Sequence, residues 1–167
     1  MKHSFIILAI APGRREIGTA TFRGLELFHF GLKSIKNGST DKPLKDERCR
    51  LVRELFIEHK PTVVVIRTPS RYQISSTRII PVLQAIERQA GLDHVPVVGI
   101  SLEEVKDALC GGGKPTQKNA FRNLAEIYPA LRQFLDRPSS WQNRYYNRLL
   151  SAASAGTTYL KSLLSCG

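Results

Sequence analysis

Two short apolar runs near the N-terminus constrain the fold of this chain more than any other feature. Residues 5–11 form the first run, which ends at Pro12 and Gly13, and residues 18–23 form the second. Short runs rich in β-branched and aromatic residues are typical of buried strands, and Pro and Gly between them mark a turn. The pattern predicts a β-hairpin, and a third run at 25–33 extends it to a three-stranded antiparallel meander.

Helical and strand patterns alternate through the rest of the chain. Pro43 introduces an amphipathic helix to about His59, and the continuous apolar run at 63–66 is typical of a strand buried on both faces. Further patterns follow at 77–90 (helix), 95–100 (strand), 102 onward (helix), 116–127 (helix), 131–135 (short helix) and 144–164 (helix). Because helical crossovers join parallel strands, this order predicts an α/β fold. The expected sheet is mixed and five-stranded, with three antiparallel and then two parallel strands, flanked by helices in one domain over residues 1–167.

The charge of the chain indicates the kind of partner it binds. Lys and Arg number 25 against 14 Asp and Glu, which gives a formal net charge of +11. A basic excess of this size attracts polyanions, so nucleic acid is the expected partner.

Cysteine and histidine usage argues against several other classes of protein. The three cysteines are far apart and form no CxxC pair, so the sequence predicts neither a zinc ribbon nor a disulfide framework. The four histidines lack the spacing of metal ligands, and no metal or cofactor is predicted. No apolar run approaches the roughly 18 residues that a membrane helix needs, and the apolar N-terminal run is too short for a signal peptide. A reducing, cytoplasmic location is expected.

The order of these motifs resembles that of RuvC-like Holliday junction resolvases, within the RNase H-like superfamily. The motif Ile10-Ala11-Pro12-Gly13 is similar to the Ile-Asp-Pro-Gly that ends the first strand of that family. Residues 61–67 and 96–101 are similar to its fourth and fifth strands, 114–118 to its lysine-bearing segment, and 147–159 to its last helix. The resemblance covers most of the chain and implies an RNase H-like fold.

The departures from the family fall at its catalytic positions. Ala11 stands where the family has its first aspartate, and Arg67 where the fourth strand ends in a glutamate. Ser151 and Ala153 are the vestigial positions on the last helix, and no carboxylate occurs from Arg137 onward. Two-metal phosphodiester cleavage needs several carboxylates to hold its metal ions, and an arginine brings a permanent positive charge instead. The resemblance therefore implies a catalytically inactive nuclease homologue that binds nucleic acid, with DNA favoured over RNA.

Two other functions are compatible with the same residues. One is an active endonuclease that uses Mg²⁺ or Mn²⁺ held by displaced acids, of which Glu16, Glu103 and Glu104 are nearest the expected site. The other is a non-catalytic domain that binds proteins, for which a homodimer like that of related resolvases is one expected form.

Seven residues are candidates for contacts with nucleic acid, because they are basic or aromatic and lie near a turn, the end of a strand or the start of a helix. They are Arg14, Arg15, Arg67, Arg71, Tyr72, Lys114 and Lys118. The basic side chains would contact phosphates, and Tyr72 would stack on a base. For Arg67 the favoured interpretation is instead an ion pair with a local acid such as Glu103 or Glu104.

A basic and aromatic cluster lies at the start of the last helix. Its members are Trp141, Arg144, Tyr145, Tyr146 and Arg148. Arginines beside aromatic rings are typical of single-strand stacking surfaces. The favoured interpretation is nevertheless structural, with Trp141 and one tyrosine anchoring the helix to the sheet.

Overall fold

The computed structural model describes residues 4–35, 41–70, 79–137 and 140–166. Its five strands are β1 (Ile6–Pro12), β2 (Glu16–Arg23), β3 (Glu26–Ser34), β4 (Val63–Arg67) and β5 (Val97–Ile100). They form one sheet in the order β3-β2-β1-β4-β5, in which β1 and β2 and then β2 and β3 pair antiparallel, and β1, β4 and β5 pair parallel. The predicted mixed five-stranded sheet is confirmed.

Helices fill the connections between the strands and follow the last one. The α-helices are α1 (Asp41–His59), α2 (Ile80–Leu92), α3 (Leu102–Cys110), α4 (Gln117–Ile127) and α5 (Ser140–Ser165), with a 3₁₀ helix at Pro129–Phe134. Ser101 and Glu104 form a capping box at the start of α3. Several element ends differ from the predicted ranges, and three of these differences are the following. β5 begins at Val97, α2 passes through Gly91, and α5 begins at Ser140 rather than Arg144.

Each face of the sheet covers a separate core, because successive residues of a strand point to opposite sides. Leu8 and Ile10 of β1 pack with α1 and α2 on one face. Ile7, Ala9 and Ala11 pack with α3, α4 and α5 on the other. Ala11 therefore lies on the side of the sheet that α5 covers.

Helix α5 lies unusually close to the sheet because small residues line the contact. A Cβ on Gly18 would overlap the backbone carbonyl of Arg148, and one on Gly156 would overlap the Phe22 ring. Gly156 is thus a packing residue in a continuous helix rather than the weak point that helix propensity predicts. The buried hydroxyls of Thr157 and Thr158 donate to carbonyls one turn back, at 2.8 Å each, so the contact contains few unsatisfied groups.

Two histidines meet on the other face of the sheet. The His29 and His59 ring centroids are 4.9 Å apart, and His59 is 6% exposed. Thr21 Oγ1 lies 3.4 Å from His59 Nδ1, while His59 Nε2 and His29 Nδ1 are buried without a hydrogen-bond partner. Burial lowers the pKa of His59. The Glu58 carboxylate, 3.9 Å from His59 Nε2 and half-exposed, acts against that shift, whereas His29 and Lys33 add to it.

We expect His59 to make the protein less stable in mild acid. Because the folded-state pKa of His59 lies below its unfolded value of about 6.5, the unfolded chain binds the proton more readily. The contribution of His59 to the free energy of unfolding should therefore be fully present above that pH and should decrease as the pH falls through 6.5 and below. Urea titrations of the wild type and of His59→Gln across this range should show a flatter pH dependence in the variant. His94→Asn, at an exposed turn with φ of +56°, is the matched control and should retain the wild-type dependence.

No helix in the described part of the chain is long and apolar enough to cross a membrane.

Candidate nucleic-acid cleft

The turn between β1 and β2 forms one wall of a cleft. Arg14 and Arg15 are exposed there, and the Arg15 carbonyl accepts a 2.7 Å hydrogen bond from the backbone of Ile35. Glu16, the first residue of β2, also lines the cleft. The turn therefore presents two arginines and one carboxylate at the end of β1 that carries Ala11.

Arg148 of α5 reaches this turn from the opposite side. Its Nη1 donates to the Pro12 carbonyl at 3.2 Å, and its Nε lies 3.6 Å from a Glu16 carboxylate oxygen. A Cβ on Gly13 would approach Arg148 Nε to 2.9 Å, so the glycine makes room for the guanidinium. Because neither Gly13 nor Gly18 has a side chain, Arg148 can lie directly against the end of β1.

Arg67 ends β4 and enters the same cleft. Its Nη1 donates to the Thr68 carbonyl at 2.5 Å. Burial lowers the pKa of Arg67, and the positive charge of Arg148 lowers it further. The guanidinium stays protonated at neutral pH, so Arg67 and Arg148 place two positive charges in the cleft, and Glu16 partly offsets that of Arg148.

The favoured interpretation of Arg67, an ion pair with Glu103 or Glu104, is wrong. Glu103 lies 3.2 Å from Lys106, and Glu104 accepts a 2.6 Å hydrogen bond from the backbone of Ser101 in the α3 capping box. No carboxylate pairs with Arg67 among the residues that the structure describes.

The cleft has a volume of about 680 Å³ and a strongly positive lining. Five arginines line it, against one acid in the described ranges, and that acid is Glu16 beside Arg148. The lining residues are Ala11, Pro12, Arg14, Arg15, Glu16, Arg67, Pro69, Gln117, Trp141, Arg144, Tyr145, Asn147, Arg148 and Ser151. Such a concave, cationic surface favours anions.

The positions at which the resemblance expects catalytic carboxylates separate into two groups. Ala11 and Ser151 line the cleft with Arg67, although Ala11 is only 2% exposed. Ala153 is fully buried in the core under α5. One face of α5 thus borders the cleft while the neighbouring face packs on the sheet.

The seven residues predicted to contact nucleic acid fall into three groups: those in the cleft, those outside its lining and those outside the described residues. Arg14, Arg15 and Arg67 meet in the cleft. Lys114 and Lys118 are exposed at the start of α4 outside its lining, and Gln117 reaches the cleft between them. The predictions for Arg71 and Tyr72 lie outside the described residues.

The start of α5 contributes more residues to the cleft than the sequence predicts. Trp141, Arg144, Tyr145 and Arg148 all line the cleft. Trp141 is 61% exposed and does not anchor the helix, contrary to the favoured interpretation. Tyr146 does so, because its ring lies 4.9 Å from that of Phe134, which in turn contacts Phe30 of β3.

The residues of this cleft do not suit the divalent metals of an RNase H-like nuclease. Mg²⁺ and Mn²⁺ require oxygen ligands, chiefly carboxylates. Ala11 offers no ligand and Arg67 is a cation, while Glu16 is engaged by Arg148. Glu103 and Glu104, the other acids considered for an active site, lie outside the cleft lining.

Comparisons with solved structures support the fold. No protein-family model and no curated protein matches the chain. Thermus thermophilus RuvC in complex with a Holliday junction substrate superposes with a TM-score of 0.72 and 18% identity, over 96% of both chains. A second structure of the same RuvC gives 0.70 and 18%, over 96% of this chain and 97% of that one.

The similarity extends to a eukaryotic enzyme. The yeast mitochondrial Holliday junction resolvase matches with a TM-score of 0.67 and 10% identity, over 95% of this chain and 80% of that one. Matches of this extent at such low identity establish the fold but not the function, which has to be inferred from the residues of the cleft. The chain has the RuvC-like RNase H-like fold.

Proposed function

We propose that the protein binds nucleic acid through the phosphates in this cleft and does not cleave it. One observation carries the proposal: Arg67 and Arg148 place two guanidinium groups beside Ala11 and Ser151, where the resemblance expects carboxylates. The nuclease scaffold thus holds an anion-binding site in place of a metal-binding one.

The electrostatics of the cleft favour a phosphate ligand. Burying a cation without a counter-ion is unfavourable, and the lowered pKa of Arg67 reflects that penalty. A phosphate oxygen supplies the missing charge and accepts the paired N–H donors of a guanidinium. Arg14, Arg15 and Arg144 at the rim would extend the contact to neighbouring phosphates.

DNA is the favoured nucleic acid. The similar proteins include a RuvC solved with a Holliday junction substrate and a mitochondrial Holliday junction resolvase. The net charge of +11 supports a polyanionic ligand of some length. A preference for DNA over RNA and the homodimer of related resolvases remain predictions.

Equilibrium binding tests the proposal. Fluorescence anisotropy should show saturable binding of labelled DNA at low salt in the presence of EDTA, because arginines rather than metal ions supply the positive charge. A four-way junction, a duplex and a single strand of equal phosphate number are the appropriate ligands. Flat isotherms for all three would refute the proposal.

A further inference from the structure

The most exposed aromatic residue of the cleft has no structural role that explains it. Trp141 is 61% exposed, whereas burial of a tryptophan normally provides much of its contribution to folding. The helix start is already held by Tyr146, through Phe134 and through the Arg137 guanidinium 5.1 Å from its ring. The indole is therefore available for a ligand.

Trp141 and Tyr145 form a continuous aromatic lip on the cleft. They are one turn apart on α5, their ring centroids are 6.5 Å apart, and the planes are inclined at 61°. Both line the cleft with Arg144 and Arg148. The lip thus adjoins the positive charge that would hold a phosphate backbone.

We propose that this lip stacks on unpaired nucleobases, so that the cleft prefers single-stranded or locally unpaired DNA to intact duplex. The inference rests on the proposed phosphate binding and adds the class of strand. When Arg67 and Arg148 bind the phosphate of a nucleotide, its base would lie at the rim of the cleft, where the face of the Trp141 indole is free to stack on it. Base–aromatic stacking needs a free base face, which a duplex keeps inside its own stack.

The protein carries its own reporter for this contact, because Trp141 is its single tryptophan. Titration of the wild-type protein with a thymidine strand of about ten nucleotides should quench the indole emission. A duplex with the same number of phosphates should leave the emission nearly unchanged.

Substitution tests the energetic contribution of the lip. Trp141→Ala should weaken single-strand binding by about tenfold and duplex binding by less than about twofold. Trp141→Phe should retain most of the single-strand affinity, since a ring remains. Phe5→Ala removes an aromatic side chain that is 42% exposed outside the cleft lining, and it should leave both affinities unchanged.

The possible failures are distinguishable. If both ligands bind, neither quenches the indole and Trp141→Ala changes neither affinity, stacking is refuted while phosphate binding stands. If neither ligand binds at low salt, the proposed function and the lip fail together. Thermal unfolding of Trp141→Ala close to that of the wild type establishes that the comparison is between folded proteins.

Discussion

Replacing both Arg67 and Arg148 by glutamine is expected to weaken DNA binding by about 100-fold at low salt. A hydrogen bond to a charged group contributes roughly 1.5–3 kcal/mol, and two such contacts at partly exposed side chains should contribute about 3 kcal/mol together. The slope of log affinity against log salt should also become shallower by about 1.8 for duplex, because two fewer phosphates are neutralised.

A control variant separates this local effect from loss of net charge. Arg53→Gln with Arg88→Gln removes the same two charges from exposed positions on α1 and α2, across the sheet from α5. We expect a change of less than about threefold, since interactions beyond a Debye length of about 10 Å are largely screened. Equal losses in the two double variants would mean that general basicity, and not the cleft, binds DNA.

The second large effect is expected from Gly18→Ala. The added Cβ would overlap the backbone carbonyl of Arg148, and neither backbone can rotate away. Overpacking of this kind costs about 2–3 kcal/mol, and the melting temperature should fall by roughly 5–10 °C. Because α5 must shift at Arg148, DNA affinity should also fall at temperatures where the variant is folded.

Gly91→Ala is the matched control. Gly91 is inside α2, and a Cβ there would meet no atom within 4 Å. Alanine favours a helix over glycine by up to about 1 kcal/mol, so stability should be equal or slightly higher, with DNA affinity unchanged. A Gly18→Ala protein as stable as the wild type would show that α5 does not pack on β2 as described.

The sheet could be predicted from the sequence because its signals are local. The Pro12-Gly13 turn and the apolar runs at 63–66 and 95–100 define strands within a few residues of themselves. Ala11 and Arg67 could be located in the same way, since their positions follow directly from strand ends. Ala11 and Arg67 do lie in one cleft.

The rest of the cleft could not be predicted because it depends on contacts between residues that are far apart in the sequence. Arg148 contacts Pro12 across 136 positions of the chain, and close packing at Gly13 and Gly18 brings it there. The exposure of Trp141 likewise depends on Tyr146 taking the anchoring role. Lys114 and Lys118 were predicted to bind nucleic acid because they lie at the start of a helix. They do not line the cleft, although Gln117 between them does.

The most direct measurement is binding and cleavage of a four-way junction by the wild-type protein across a salt series, with and without Mn²⁺. Binding should weaken steeply, with a slope of about −3 or steeper, and should be the same with or without the metal. Denaturing gels of the same samples should show intact strands. Cleavage in Mn²⁺, or absence of binding at low salt, would contradict a phosphate-binding cleft on an inactive nuclease scaffold.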